Sequence, residues 1–280
     1  MTFDPASLGH SRSDLAAALK AERGKAGWTQ VRLARRCNMS QTKVSNIESG
    51  KLTPAMVDVE LILEALGAEG APAAQILSLA RSANTEWQDH WASRRRGLDK
   101  KQNELARLEA ATKEFRFFLL SMVTGLLATA DYVRASIADV SGDQSRTIVK
   151  KLERQRVLLD SEKSFTFILT EQAARWPILP PLAMAMQLDR LASVSRLPNV
   201  RLGVLPLAGH IPERPLSTFT VYDRRLATVE TGTGVLMLRD HRDVNAYRAD
   251  FGRYEEHAVW GEECRALLSE WSRIFTRQRQ

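Results

Sequence analysis

Cysteine and histidine are scarce in this 280-residue sequence. The two cysteines, Cys37 and Cys264, lie on separate helical patterns, so a disulfide or a metal site has little support. The five histidines are scattered, and no two of them have the spacing of zinc ligands. We therefore expect a reduced, cytoplasmic protein with two core thiols, no metal and no cofactor.

Long hydrophobic runs are absent as well. No apolar segment approaches the roughly 20 residues that a membrane-spanning helix needs. The N-terminus, MTFDPASLGHSRSD, lacks the apolar core of a signal peptide, and residues 1–12 are expected to be flexible. No membrane association is predicted. The length still exceeds what one small helical domain can use, so a second hydrophobic core is expected.

Residues typical of an active site do not form a recognisable constellation. Glu171 ends a predicted strand and stands alone, so it does not form the catalytic pair of carboxylates that glycoside hydrolases use. His210 precedes a polar loop, and His241 opens a predicted helix beside Asp240, so both are predicted to be surface or capping residues. The segment 231–234 is rich in glycine but lacks the lysine of a phosphate-binding loop and is predicted to be a turn. The sequence does not predict an enzyme.

Residues 28–54 have the pattern of two short helices joined by a tight turn. The hydroxyls of Thr29 and Ser40 can each accept a hydrogen bond from the free amides at a helix start. Asn38 lies where the turn needs a left-handed residue, a conformation that asparagine tolerates. Val44 and Ile47 face inward at helical spacing. The segment is thus predicted to be a helix-turn-helix.

Short hydrogen-bonding side chains cover the outer face of the second of these helices. They are Gln41, Thr42, Ser45 and Asn46. Such side chains can contact base edges in the major groove, and glutamine can pair with adenine through two hydrogen bonds. Ser45 and Asn46 could instead contact the sugar-phosphate backbone, and for Gln41 and Ser45 a further alternative is a solvated surface residue.

Two further helices complete the N-terminal bundle. An amphipathic pattern predicts a first helix over residues 12–26, ended near Gly27. Thr53 and Pro54 predict the start of a fourth helix, because proline is favoured at the first helical position. That helix is expected to stop at Gly67.

Positive charge is concentrated in the same region. Residues 11–53 contain nine lysines and arginines and three acids, a balance of +6, whereas the whole chain carries +7. A basic surface attracts phosphates and gives salt-dependent binding before any base is read. The charge therefore favours double-stranded DNA as the partner.

The four-helix pattern resembles the helix-turn-helix domain of the Xre/Cro phage-repressor family, which is lambda-repressor-like. The likeness covers residues 13–67 and is carried by LARRCNMSQTKVSNIESGKLTP, with Asn38 where many members have glycine. It implies that Arg23 and Glu48 form a structural ion pair. The residues expected to contact DNA phosphates, which position a protein without reading sequence, are Thr29, Gln30, Lys43, Ser49 and Lys51.

Composition divides the chain into a DNA-binding domain (13–70), a helical linker (71–103) and a C-terminal domain (104–276). The linker pattern places Trp87 and Trp91 on one helical face. Its basic residues either contact the DNA backbone or form a solvated linker; they are Arg94, Arg95, Arg96, Lys100 and Lys101.

The C-terminal domain is predicted to be mixed α/β with a small sheet. Strands over 164–170 and 199–207 flank a helix over 182–197, which suggests a right-handed parallel crossover. Two further strands meet at a turn formed by Asp223 and Arg224. The remaining segments are predicted as strands over 217–223 and 226–231 and helices over 104–122, 130–139, 143–160, 240–258 and 260–276.

This domain is similar to the C-terminal domain of unknown function that follows an Xre-type unit in many actinobacterial regulators. The likeness spans roughly 104–275 and rests on SMVTGLLATADYVRA, KLERQRVLL, FTFILTEQAARW and NVRLGVLPL. Thr124 and Ala128 depart from the usual proline and glutamine. The resemblance implies a transcriptional regulator that is often encoded near a small partner protein.

Three functions therefore remain open. The first is a sequence-specific transcriptional regulator, expected to be a homodimer because one recognition helix reads only a few base pairs, with a C-terminal domain that receives a small-protein or small-molecule signal. The second is an antitoxin-like DNA-binding protein that sequesters a small partner. The third, an enzyme tethered to DNA, is disfavoured because catalytic residues do not cluster.

Overall fold

The computed structural model describes residues 11–89, 98–208 and 210–278, which divide into two compact units. The first unit comprises the described residues up to Trp87 together with Leu236–Val244, and the second comprises the rest. The expected flexible N-terminus falls mostly outside the described residues, as do Trp91 and the three consecutive arginines of the linker.

The first unit is helical. Its helices are α1 (Ser11–Lys25), α2 (Gln30–Arg36), α3 (Gln41–Glu48), α4 (Met56–Leu66) and α5 (Gly70–Ala83). The hydroxyl of Thr29 accepts a hydrogen bond from the Arg32 amide at 3.2 Å, and that of Ser40 accepts one from the Lys43 amide at 3.1 Å. Asn38 has φ 52°. Both predicted caps and the predicted turn residue are confirmed.

The start of α4 differs from the prediction. The helix begins at Met56, and the Asp58 carboxylate accepts a hydrogen bond from the Ala55 amide at 3.2 Å. The carbonyl of Pro54 instead accepts a hydrogen bond from the buried Asn84 side chain at 3.0 Å. The prediction of a helix start at Thr53 and Pro54 was wrong because the proline carbonyl is held by a distant residue.

The hydrophobic core of this unit consists of the apolar side chains that helical spacing places on the inner face of each helix. α1 contributes Leu15 and Leu19, α3 contributes Val44 and Ile47, and Cys37 is also buried. The members from α4 are Met56, Val59, Ile62 and Leu63. Burial of one face of every short helix is what keeps such helices folded, because isolated helices of seven or eight residues are unstable in water.

The second unit is α/β. Its helices are α6 (Leu98–Ala110), α7 (Ala130–Ala135), α8 (Ser145–Arg154), α9 (Glu171–Arg175), α10 (Pro181–Val194), α11 (His241–His257, which begins in the first unit) and α12 (Gly261–Arg277), with a 3-10 turn over Gln155–Leu159. The strands of the chain are β1 (Thr85–Asp89), β2 (Glu114–Leu119), β3 (Ser164–Thr170), β4 (Val200–Leu205), β5 (Phe219–Tyr222), β6 (Leu226–Glu230) and β7 (Gly234–Leu238).

The strands form one mixed sheet in the order β1-β7-β6-β5-β2-β3-β4. β2, β3 and β4 are parallel, whereas β5 pairs antiparallel with β2 and with β6. The predicted parallel crossover is confirmed by β3 and β4, which are joined through α9 and α10. The turn between β5 and β6 is also confirmed, with Asp223 at φ 53°.

Three strands were not predicted. The expected helix over 104–122 ends at Ala110, and residues Glu114–Leu119 form β2 instead. Its Phe115 and Phe117 stack on Phe165 and Phe167 of β3, with ring centroids 4.5 Å and 4.7 Å apart. Trp87 lies in β1 rather than on a helix, and β7 was missed, so the sheet is larger than expected.

Gly203 in β4 provides a test of this packing. A Cβ atom there would lie 2.7 Å from the Trp260 ring. Gly203→Ala is therefore expected to lower the free energy of unfolding by roughly 1–3 kcal/mol, because the close-packed ring must move. Urea denaturation measures the change.

Gly252→Ala is the matched control. Gly252 lies inside α11 and has no neighbouring atom within 4 Å of an added Cβ. Alanine there should raise the free energy of unfolding by about 0.5–1 kcal/mol through helix propensity. Equal stability of the Gly203→Ala protein and the wild type would contradict the packing of Trp260.

Candidate nucleic-acid interface

Helix α3 presents a polar outer face. Gln41 and Thr42 are exposed, and Ser45 and Asn46, one turn further on, are partly exposed. Residues four apart on a helix lie on the same side, so the four side chains form one continuous patch. The structure thus brings together all four predicted base-reading residues. They lie at the start and middle of α3, the part that a helix-turn-helix inserts into the major groove.

A chain of hydrogen bonds runs from α1 to this patch. Arg23 donates to both carboxylate oxygens of Glu48, from Nε to Oε1 at 2.6 Å and from Nη2 to Oε2 at 2.9 Å. Gln30 Nε2 donates to Glu48 Oε2 at 2.9 Å, and Gln41 Nε2 donates to Gln30 Oε1 at 3.4 Å. The side chain of Gln41 is therefore oriented by a network anchored in the core.

The Arg23–Glu48 pair is largely shielded from solvent. The Glu48 side chain is 4% exposed and that of Arg23 is 15% exposed. Burial by itself raises the pKa of Glu48, but hydrogen bonds from Arg23 and Gln30 outweigh it and leave the pKa below its ordinary value. The hydrogen bond to Glu48 raises the pKa of Arg23. Both groups remain charged at neutral pH, so the pair fixes α3 against α1.

The predicted phosphate-contacting residues have different local partners. Thr29 is exposed and caps α2, and Ser49 ends α3, with its hydroxyl donating to the Asn46 carbonyl at 3.3 Å. Gln30 belongs to the network described above. Lys51 is exposed, and its carbonyl accepts a hydrogen bond from Arg12 at 2.6 Å. All remain near α3, the part of the unit that a duplex would meet.

Lys43 differs from the other candidates because it has a partner. Its Nζ lies 2.7 Å from Asp58 Oδ1, and its side chain is 37% exposed. Sequence reasoning missed Asp58, which is fifteen residues away and belongs to another helix. Part of the charge of Lys43 is therefore neutralised within the unit.

Two arginines of α2 were counted in the charge balance but given no role. Arg35 and Arg36 are both exposed, and within the described part of the chain neither has a carboxylate at ion-pair distance. The neighbouring Arg32 stacks on Trp28, with its guanidinium carbon 4.2 Å from the ring centroid. The exposed cations of α2 extend the basic surface beyond α3.

The polar residues of the second unit that the sequence analysis considered for catalysis or phosphate binding are Glu171, His210 and the turn at 231–234. Glu171 binds Arg175 one turn later and accepts a hydrogen bond from the Leu207 amide at 3.0 Å. His210 is exposed in the loop after β4. Thr231 caps the predicted turn by accepting a hydrogen bond from the Gly234 amide at 3.1 Å. None of the described helices is long and apolar enough to cross a membrane.

Two protein families match the chain. A helix-turn-helix domain matches residues 14–76, which include most of α1, all of α2 to α4 and the polar face of α3 described above. A domain of unknown function (DUF5753) matches residues 102–270, well over half of the chain. The two matches agree with the division into a helical unit and an α/β unit.

Two solved structures are distantly similar. One is NucT from Helicobacter pylori, with 10% sequence identity and a TM-score of 0.37, covering 63% of this chain and 98% of NucT. The other is TrmBL2, an archaeal chromatin protein described as showing a novel mode of DNA binding, with 11% identity and a TM-score of 0.33. That likeness covers 64% of this chain and 53% of TrmBL2, about half its length. No curated protein matches the chain.

Glu48→Gln tests the anchor of the network. The change leaves Arg23 partly buried without a charged partner, and it should lower the free energy of unfolding at pH 7 by roughly 1–3 kcal/mol. Because the pKa of Glu48 is depressed in the folded protein, its contribution is present above the unfolded-state pKa and is lost as the pH falls through the folded-state value. The difference from wild type should therefore shrink below about pH 4.

Chemical denaturation at several pH values measures this effect. Glu22→Gln is the control, because Glu22 pairs with Lys25, which is 67% exposed. Exposed pairs contribute less than about 1 kcal/mol, so this variant should stay close to wild type at every pH. A pH-independent deficit in Glu48→Gln would show that the carboxylate charge plays no part.

Proposed function

Because this chain belongs to the family defined by the domain of unknown function DUF5753 and carries a helix-turn-helix domain before it, we propose that it is a sequence-specific DNA-binding transcriptional regulator. The observation that carries the proposal is the arrangement of α3. Its outer face is polar and oriented by hydrogen bonds, while its inner face is fixed in the core.

In the proposed complex, α3 enters the major groove and reads base edges. The amide of Gln41 suits adenine, which offers one acceptor and one donor in that groove. Thr42, Ser45 and Asn46 add single hydrogen bonds along the same face. The hydrogen bond between Gln41 and Gln30 limits the rotamers of Gln41 before DNA arrives, which lowers the entropy lost on binding.

Phosphate contacts hold this helix in register. Thr29 and Gln30 lie at the start of α2, and Ser49 and Lys51 follow α3, so they flank the recognition helix on both sides. Lys43 contributes when its ion pair with Asp58 breaks and its ammonium group contacts a phosphate instead. These groups supply affinity that depends on salt but not on base sequence.

A single α3 reads only a few base pairs, so we propose that the regulator binds as a homodimer to a two-fold symmetric operator in the cytoplasm. The C-terminal domain then receives a small-protein or small-molecule signal. An antitoxin-like role, in which this domain sequesters a small partner encoded nearby, is the alternative. Purification of the protein from its native host distinguishes the two roles. A small protein that co-purifies in stoichiometric amount supports the antitoxin-like role. A metabolite that changes the affinity for the operator supports the signal-receiving regulator.

Selection from a random duplex library, with the full chain, tests the main proposal. The full chain is needed because the first unit includes Leu236–Val244. The expected result is an enriched motif with two-fold symmetry. Failure to enrich any motif, with binding no tighter than that of a neutral protein at low salt, would overturn the proposal.

Gln41→Ala addresses base reading. The variant should weaken binding to the selected operator by roughly 1–3 kcal/mol and relax the preference at one base pair in each half-site. Fluorescence anisotropy with the operator and its single-base variants measures both effects. Gln278→Ala, at an exposed position after α12, is the control and should bind as wild type does. Unchanged affinity of Gln41→Ala would show that α3 is not the reading helix.

Lys51→Ala addresses the phosphate contacts. It should weaken binding to all sequences about equally and reduce the slope of log affinity against log salt by about 1. Lys43→Ala should do the same with a smaller change, because Asp58 already neutralises part of its charge. A loss confined to the operator sequence would assign these lysines to base reading instead.

A further inference from the structure

The last helix of the second unit has two different sides. α12 packs against α10 and β4, and its inner side is buried at Cys264, Leu268, Trp271 and Phe275. The outer side carries both charged and apolar residues that solvent reaches. We call this side the α12 face, and its members are Glu263, Leu267, Glu270, Arg273, Ile274 and Arg277.

Leu267 and Ile274 form the apolar part of the α12 face. They lie two turns apart on the same side of the helix, and each is only partly buried. In the part of the chain that the structure describes, the shallow depression that they border is lined by residues of α12 alone. No other described element therefore covers the outer side of these two side chains.

The charges of the α12 face are divided along the helix. The acids Glu263 and Glu270 come first, and the bases Arg273 and Arg277 follow in the last two turns. All four residues are exposed, and among the described residues none of them has an ion-pair partner. Charges elsewhere on the same helix do pair, since Glu262 and Arg265 lie 2.7 Å apart.

This division makes the α12 face complementary to a second copy of itself, but only in the antiparallel direction. Let a two-fold axis pass beside Glu270. Glu263 of each copy then faces Arg277 of the other, and Glu270 faces Arg273, with the members of each pair within about 3 Å along the helix axis. A parallel pair would instead place each charge beside the same charge. The sequence of charges therefore selects both the occupant and its direction.

We propose that the α12 face joins two copies of this chain as an antiparallel helix pair. The same alignment that pairs the charges places Leu267 of each copy opposite Ile274 of the other, so the apolar side chains are buried between the helices. The contact uses the same surface on both copies and closes at two, as a two-fold interface must. The four ion pairs fix the direction and disfavour other partners.

The length of α12 sets the expected strength of the dimer. Its seventeen residues span about 25 Å, and one such helix pair buries less than the roughly 1,200 Å² that stable complexes usually bury. We therefore expect a weak dimer that forms at micromolar concentrations and that salt dissociates. An operator with two half-sites would raise the apparent affinity by binding both copies at once.

This interface rests on the proposed function only in that it names the surface of the proposed homodimer. Dimerisation is measured without DNA, so the two can fail separately. A two-fold DNA motif selected by a chain that does not dimerise through α12 would keep the regulator and reject the interface. A dimer through α12 with no selected motif would do the reverse.

Charge reversal with the full chain tests the interface by sedimentation velocity across the micromolar range. The double variant Glu263→Arg with Glu270→Arg makes the face wholly basic, and Arg273→Glu with Arg277→Glu makes it wholly acidic. Each should raise the dimer dissociation constant by about tenfold or more, because like charges then face each other. An equimolar mixture of the two double variants should restore a dimer. Restoration also shows that both variants are folded.

The double variant Glu162→Arg with Glu256→Arg is the matched control. It changes the net charge by the same amount as the basic variant, at two exposed positions outside α12, and it should dimerise as wild type does. The proposal is overturned if the wild-type chain stays monomeric, which would leave the α12 face to a different protein. It is also overturned if the reversed variants dimerise as wild type does, or if mixing them restores no dimer.

Cross-linking with a short bismaleimide tests the direction of the pair. Both native cysteines, Cys37 and Cys264, are buried, so an added surface thiol is the reactive one. Glu270→Cys should cross-link between copies because the two-fold axis passes beside it. Glu263→Cys should not, because its two copies would lie roughly 20 Å apart. Efficient cross-linking of both variants would indicate a parallel pair and overturn the antiparallel interface.

Discussion

The ion pair between Arg23 and Glu48 is the constraint on which the interface depends. It joins the first and third helices through two hydrogen bonds, and Glu48 also accepts a hydrogen bond from the side chain of Gln30. Because helices of seven or eight residues are not stable alone, α3 takes its orientation from tertiary contacts, which are the burial of Val44 and Ile47 in the core and the shielded ion pair at Glu48. The rotation decides which four side chains face outward. Glu48 lies one turn after Ser45, next to the polar patch, and is joined to it through Gln30 and Gln41.

Local chemistry made the N-terminal unit predictable. Thr29, Ser40 and Asn38 each act within three residues of their own position, so their roles could be deduced from neighbouring residues alone. The parallel pair of β3 and β4 could also be predicted, since two apolar strands flank a helix of suitable length. The direction in which Gln41 points was equally accessible from helical spacing.

Partners that are distant in sequence were the features that sequence reasoning missed. β2 has an apolar, aromatic sequence that also fits a helix, and only its pairing with β3 and β5 makes it a strand. Lys43 was predicted to contact a DNA phosphate, and nothing in the sequence shows that Asp58 forms an ion pair with it. The start of α4 was misplaced for the same reason, since Asn84 holds the Pro54 carbonyl across thirty residues.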